Sequence, residues 1–306
     1  MEVYRLVRGF RKKDEMTSAS DAATASPLLT LSDGRTIPQL GFGVYKTPND
    51  EVEAAIACAF EAGYRHIDTA KLYDNEEGVG RAVRHSGLAR SDLFVTTKVW
   101  NDDHGREKTR RACEESLERL GLDYVDLYLI HWPMPMNGLA VETWEELIRL
   151  REEGLATSIG VANFPARRID ELTAATGVAP VLNQIELNPY FAQTELREAN
   201  RERGVLSQAW APLHRAKGLF DEPIIRDIAE RRGATPAQVV LAWHLALGTI
   251  AIPKSVTPSR IRENFAALDV RLTPEDLEAI ATLDRGEAGR TGFDPETMVR
   301  GAGYKG

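Results

Sequence analysis

At 306 residues, with 43% apolar and 27% charged side chains and 24 Gly and 15 Pro spread along the chain, the composition is that of an ordinary folded protein; it excludes disorder and collagen. The 46 acidic residues outnumber the 38 basic ones for a net charge of −8, which argues against general nucleic-acid binding or an anionic membrane surface but leaves room for a local basic site. No uncharged apolar run reaches the roughly 18 residues of a membrane span, so neither a nucleic acid nor a membrane is expected as a partner.

Residues 1–26 stand apart. They open with Arg5, Arg8, Arg11, Lys12 and Lys13 and continue through residues 17–26 as a small, polar, aperiodic run. They read as a tail, disordered or foreign to the domain, ahead of a barrel domain at 27–306. The basic cluster is followed by Asp14 and Glu15 rather than by an apolar core, so no export signal is expected and the protein is placed in the cytoplasm. Cys58 and Cys113 have neither zinc-site nor redox spacing and are expected to be buried small apolar residues in a reducing compartment.

From Leu28 onward, strand and helix signals alternate. Residues 28–31, Ser32-Asp33-Gly34 and Thr36-Ile37-Pro38 predict a short hairpin turning on Asp-Gly. Aliphatic and β-branched runs then follow at 40–45, 64–69, 93–99, 125–131, 157–162, 181–187, 205–210 and 249–253, the lengths of strands buried on both faces. Helical stretches lie between them. One opens at Asp50-Glu51 and stops at Gly63, others run 106–120 to Gly121 and 142–153 to Gly154, and Thr235-Pro236 opens one to about 247. Length alone allows two domains of about 150 residues or one larger barrel. Eight strand-then-helix units predict an α/β fold of the (β/α)8 TIM-barrel type preceded by a short β-hairpin. A doubly wound sheet is disfavoured because no GxGxxG joins a first strand to a first helix.

Chemistry in such barrels sits at the C-terminal ends of the strands. These ends carry Asp68, with Tyr73 just beyond, then Lys98, His131, Asn163, Gln184, Trp210 and Lys254. An aspartate, a tyrosine, a lysine and a histidine on one barrel face would meet, and all four can do acid–base chemistry. A phenol with a reference pKa near 10 needs a nearby cation to part easily with its proton, which Lys98 could supply, and Asp68 could hold that lysine. Lys254, Ser255 and Arg260 flank a helix start, a suitable anion grip; the competing reading is a capped surface helix in water.

The blocks Gly63-Tyr64-Arg65-His66-Ile67-Asp68-Thr69-Ala70 with Tyr73, Asn75-Glu76-Glu77-Gly78-Val79-Gly80, Thr97-Lys98-Val99-Trp100, Leu129-Ile130-His131-Trp132-Pro133, Gly160-Val161-Ala162-Asn163-Phe164, Asn183-Gln184-Ile185-Glu186 and Ile252-Pro253-Lys254-Ser255 resemble the aldo-keto reductases, in the order found in compact bacterial members such as the 2,5-diketo-D-gluconate reductases. The resemblance implies NADPH-dependent reduction of aldehydes and ketones, α-dicarbonyls and keto-sugars among them, without a metal and with NADH as the weaker alternative. It implies Tyr73 as proton donor, Lys98 and Asp68 tuning it, and His131 orienting the carbonyl. By the same resemblance Asn163 and Gln184 hold the nicotinamide carboxamide, which stacks on Trp210. Pro212, Leu213, Lys254, Ser255, Val256, Thr257, Arg260, Glu263 and Asn264 contact the rest of the cofactor, with Lys254, Ser255 and Arg260 on its 2′-phosphate. Tyr45, Trp100, His131 and Trp132 line the substrate pocket. A monomer acting on a small carbonyl compound is expected.

The departures from the family pattern are Ala162 where many relatives have serine, Thr257 where some have arginine, Lys71 at a position usually small or apolar, and His214 where glycine is common, open to lining the cofactor channel or facing water and expected to face water. The segment 134–140 and the chain after Arg290 are short, which predicts an open site. Two competing functions remain: a phosphate-binding isomerase or lyase using Lys98 as a Schiff base, and an NADPH-binding sensing or regulatory barrel with little turnover.

Overall fold

The computed structural model describes residues 26–299. The chain enters as an antiparallel hairpin, β1 (Leu28–Thr30) and β2 (Thr36–Pro38), with Leu29 opposite Ile37 and the turn around Asp33-Gly34. Leu31 and Ile37 pack in one cluster with Leu127, Leu182 and Ile250, and Ser158 Oγ donates to Asp33 at 2.6 Å. The hairpin therefore stoppers the N-terminal end of the barrel. Of the expected tail, residues 1–25 lie outside the described residues; the Oγ of Ser26 accepts from the Leu40 N–H at 2.9 Å.

Eight strands then run parallel in chain order: β3 (Phe42–Gly43), β4 (His66–Asp68), β5 (Phe94–Val99), β6 (Val125–Ile130), β7 (Ala156–Ala162), β8 (Leu182–Glu186), β9 (Leu206–Trp210) and β10 (Ile250–Ala251). The ring closes through a parallel bridge of Leu40 to Ala251, with the Gly41 N–H donating to the Ala251 carbonyl at 2.9 Å and the Gly43 N–H to that of Pro253 at 3.1 Å. The expected (β/α)8 barrel with its N-terminal hairpin is thus the observed fold. At this seam β3 and β10 are shorter than their apolar runs, because only two residues of each sustain regular ladder pairing.

Helices α1 (Val52–Ala62), α2 (Glu76–His85), α3 (Arg106–Leu120), α4 (Ala140–Glu152), α5 (Ala166–Thr176), α6 (Thr194–Glu202), α7 (Pro223–Arg232), α8 (Pro236–Ala246), α9 (Pro258–Phe265) and α10 (Pro274–Ala281) cover the barrel, α7 and α10 being additional to the eightfold repeat. Their ends follow the sequence signals. Gly63 stops α1 at φ +112°, a conformation that favours glycine, and Thr235 starts α8 in a capping box with Gln238. Both cysteines are free and buried, as expected.

Alternation along the strands sorts side chains between the helix-facing core and the lumen. In β5, Val95 and Val99 join the large cluster under the helices, which also holds Tyr64, Tyr128 and Trp144, whereas Phe94 joins the lumen cluster; Thr96 and Lys98 share the parity of Phe94. The same rule sends Asp68, His131, Gln184 and Trp210 inward, all at the C-terminal end.

Three fully or almost fully buried histidines carry a stability consequence. Burial holds His66 and His244 at a pKa of about 3 and His104 at about 4, below the ordinary histidine value. The unfolded chain takes up these protons first, so the stability the histidines confer is complete above about pH 6.5 and is lost progressively as pH falls towards their folded values, by on the order of 3 kcal/mol each at pH 4. The thermal midpoint is expected to drop steeply between about pH 6.5 and 4.5, above the range where most carboxylates titrate. A flat midpoint over that interval would show that these rings take up protons in place.

Candidate active site

At the C-terminal mouth the strand-end residues converge on a cavity of about 470 Å³. Lys98, fully buried, donates from Nζ to Asp68 Oδ1 at 2.6 Å and to the Thr69 carbonyl at 2.8 Å, and lies 3.4 Å from the Tyr73 hydroxyl. Asp68 is held from the far side of the lumen by Gln184, whose Nε2 donates to Oδ2 at 2.7 Å and to Oε1 of Gln208, its partner in the β8–β9 ladder, also at 2.7 Å. Tyr73 reaches the mouth from a single 3-10 turn at 71–73, set edge-on to Tyr45 at 5.0 Å and to His131 at 5.8 Å between ring centroids. Trp100 stands edge-on to His131 at 5.0 Å.

The electrostatics follow from burial. Desolvation, the Asp68 charge and Tyr45 push the Tyr73 phenol well above 10, so it keeps its proton at neutral pH. Burial outweighs the neighbouring Lys98 ammonium, which stands 3.4 Å from the hydroxyl and is also committed to Asp68 and the Thr69 carbonyl. Burial also draws Lys98 down and pushes Asp68 up, each against the attraction of the other. Desolvation, Lys98 and His104 hold His131 well below its usual value, so its ring is neutral, and its buried Nδ1 has no protein partner among the described residues.

One wall is polar and planar. The Trp210 Nε1–H donates to Asn163 Oδ1 at 2.8 Å, and Asn163 Nδ2 donates to the His131 carbonyl at 3.0 Å. An amide can make four hydrogen bonds. Asn163 keeps one donor and one acceptor position for a ligand. Gln184 has both amide hydrogens committed and keeps only Oε1. Pro212, Leu213 and Lys254 line the same cavity, as do Tyr45, Trp100 and Trp132. Ser255, Val256, Thr257, Arg260, Glu263 and Asn264 lie outside it, on and before α9. There Ser255 is buried, with Oγ accepting from the Thr257 N–H at 3.1 Å; Arg260 is exposed with no ion pair among the described residues; Glu263 accepts at its carbonyl from Gln238; and Asn264 is buried. Thr257 precedes Pro258, the first residue of α9, and makes no side-chain cap, so the N-terminus of this helix is left without one, with Lys254 just before it in the chain and Arg260 in its first turn.

Several contributors were not anticipated. Leu72, Phe293 and Met298 complete the apolar wall with Trp100, Trp132 and Met134. Glu186, buried at the end of β8, accepts from the N–H groups of Thr291 and Gly292 at 2.8 Å each and pins the C-terminal segment over the mouth. Gly292 is needed there, since a Cβ would lie 2.4 Å from the Trp210 ring. The open site expected from short 134–140 and C-terminal segments is corrected in part: Thr291, Gly292, Phe293 and Met298 of the C-terminal segment line the cavity, whereas of 134–140 only Met134 packs against that wall. Gln208 and Glu186 carried a signal, as polar side chains at inward positions of apolar strands. The wall residues carried none, because their place depends on a loop path. His214 is likewise corrected: it is 9% exposed and packs edge-on against Tyr190 at 4.9 Å rather than facing water.

The mouth brings a proton-loaded phenol, a buried ammonium–carboxylate pair and a neutral imidazole beside a planar cleft, a set equipped for proton transfer at a ligand oxygen. The family model described as Aldo/keto reductase family matches residues 39–285. The chain is 50% identical over 270 residues to the methylglyoxal reductase DkgA of Escherichia coli, covering 88% of this chain and 97% of that protein. It is 48% identical over 273 residues to an aldo-keto reductase of Mycolicibacterium smegmatis, covering 89% and 98%. Among solved structures, Gox0644 in its apoform superposes with a TM-score of 0.87 at 44% identity, covering 90% of this chain and 100% of that one, and a mutant of Gox0644 in complex with NADPH matches equally well. An aldo/keto reductase from Brucella melitensis gives 0.83 at 51% identity, covering 85% and 98%. The chain belongs to the aldo/keto reductase family and is an NAD(P)H-dependent oxidoreductase. No described helix is long and apolar enough to cross a membrane.

Proposed function

We propose that the protein reduces small aldehydes and ketones, α-dicarbonyls such as methylglyoxal and keto-sugars among them, to alcohols with NADPH, with Asp68, Tyr73, Lys98 and His131 as the catalytic set. The observation that carries this reading is the Tyr73–Lys98–Asp68 chain at the base of an aromatic cavity. NADPH fits the groups present: the free positions on Asn163 and Gln184 complement a carboxamide, the Trp210 face suits a flat ring, and Lys254, Ser255 and Arg260 beside the start of α9 suit a phosphate. When bound, NADPH supplies the hydride.

The chain's own residues do the rest. His131 is neutral and can donate a hydrogen bond to the carbonyl oxygen, polarising the carbon towards attack. As hydride arrives at that carbon, charge develops on the oxygen, and the Tyr73 hydroxyl gives it a proton. The Lys98 ammonium, 3.4 Å away, steadies the phenolate left behind. Trp100, Trp132 and Met298 keep water from the reacting carbon. A Schiff base at Lys98 is disfavoured because its ammonium is fully buried with three oxygens around Nζ, leaving no lone pair to attack a carbonyl. The complete catalytic set gives no ground for a purely sensing role. We further propose a cytoplasmic monomer; the net charge of −8 argues against a nucleic acid or an anionic membrane surface as partner.

The phosphate grip is tested by Arg260→Ala. It is expected to raise the KM for NADPH roughly 10- to 100-fold, the worth of one charge-assisted phosphate contact, and to change that for NADH less than about threefold. Equal effects on both cofactors would remove Arg260 from the 2′-phosphate.

A further inference from the structure

Lys71 interrupts a position expected to be small or apolar, and the structure gives it a place. It opens the 3-10 turn at 71–73 that carries Tyr73, and this turn is thinly held by its own backbone. The Tyr73 N–H donates to the Ala70 carbonyl at 2.9 Å and the Asp74 N–H to that of Lys71 at 3.3 Å, with Asp74 left-handed at φ +55°. After the turn, buried Asn75 anchors the chain by donating to the Val44 and Thr47 carbonyls and accepting from Thr69 Oγ1. At the start of the turn, the side chain that ties it to the body of the barrel is Lys71.

Its Nζ lies 2.8 Å from Asp103 Oδ2 and 3.5 Å from Glu115 Oε2. Asp103 ends the turn that follows Trp100, the ring set against His131; its N–H donates to the Trp100 carbonyl at 3.0 Å, and its own carbonyl accepts from Thr109 Oγ1 in α3. Glu115 in α3 faces Arg119 at 3.9 Å. Arg119 pairs at 2.7 Å with buried Glu76, which accepts at 2.5 Å from Thr97, the neighbour of Lys98. The ionic chain from Lys71 therefore starts on the turn of the phenol and ends beside the strand position of the ammonium.

We propose that Lys71 is a positioning residue for Tyr73: through Asp103 and Glu115 it sets where the phenol stands relative to Lys98 and the Trp100–His131 wall. This rests on Tyr73 being the proton donor. The phenol–ammonium separation of 3.4 Å is at the long end of a hydrogen bond, so small displacements of the turn matter. Lys71 and Asp103 keep side-chain exposures of 28% and 16%, so the tie is only partly screened by water.

The test is steady-state kinetics of Lys71→Met, Lys71→Arg, Asp103→Asn and the double variant Lys71→Met/Asp103→Asn on methylglyoxal, with Tyr73→Phe in the same assay. Lys71→Met and Asp103→Asn are each expected to lower kcat roughly three- to tenfold with the KM for NADPH within about twofold of wild type. The double variant should lose no more than either single one, and Lys71→Arg should recover most of the rate. A wild-type kcat in Lys71→Met, additive losses in the double variant, or losses in kcat and NADPH affinity that track a fall in Tm would each overturn the proposal. If Tyr73→Phe itself kept its rate, the proton-donor reading would fail instead, so the two failures are distinguishable.

Discussion

Tyr73→Phe is expected to lower kcat about 10³-fold while leaving the Kd for NADPH within about twofold, because a positioned general acid contributes on the order of 10²- to 10⁴-fold and a phenyl ring keeps the packing. The ring would keep its edge-on contacts with Tyr45 and His131, so the pocket keeps its shape and only the proton is lost. Burial keeps the phenol protonated, so the wild-type rate of reduction should not fall as pH rises through the range just below 10 on account of Tyr73. Cofactor titration by protein fluorescence and turnover with methylglyoxal separate binding from chemistry. Retention of more than about a tenth of the wild-type kcat would place the proton donor elsewhere.

Lys98→Met has a different signature, since it removes a cation whose partner stays buried. Asp68 is 1% exposed and would retain only the Gln184 amide. Leaving such a charge without its partner costs about 3–5 kcal/mol, which in a domain of this size lowers Tm by roughly 10 °C. Burial already pushes the Asp68 pKa up, and without Lys98 it rises further. The folded variant then holds a proton that the unfolded chain releases near pH 4, so its deficit against wild type grows as pH rises from about 4 to 7. Adding Asp68→Asn should restore most of the stability and none of the activity. A Lys98→Met protein as stable as wild type at neutral pH would contradict the buried pair, and one that also kept its kcat would remove Lys98 from the mechanism.

The parts of this site that were legible in the sequence share a physical reason. Asp68, Lys98, His131 and Gln184 are polar side chains at or near the ends of otherwise apolar strands, and alternation fixes which way they point. Tyr73 was reachable because it follows its strand within one short turn. Gly63, Gly121 and the Thr235-Pro236 pair marked helix ends for reasons local to the backbone. What escaped depends on contacts between segments distant in sequence. Glu186 acts on Thr291 and Gly292, more than a hundred residues on, and the pinned segment brings Phe293 and Met298 to the cavity. Gln208 matters only through Gln184, and the height of the Tyr73 pKa follows from burial that no local pattern encodes. His214 was misplaced for the same reason, since Tyr190 covers it.

In the proposed reaction hydride passes from NADPH to a substrate carbonyl in this cavity. The decisive measurement is a turnover with methylglyoxal and NADPH carrying deuterium at both positions of the hydride-donating ring carbon, followed by mass spectrometry and NMR of the product. One deuterium on the new carbinol carbon per NADPH oxidised, with the hydroxyl proton drawn from solvent, is the predicted result. Absence of NADPH oxidation, or a product without deuterium at that carbon, would contradict it.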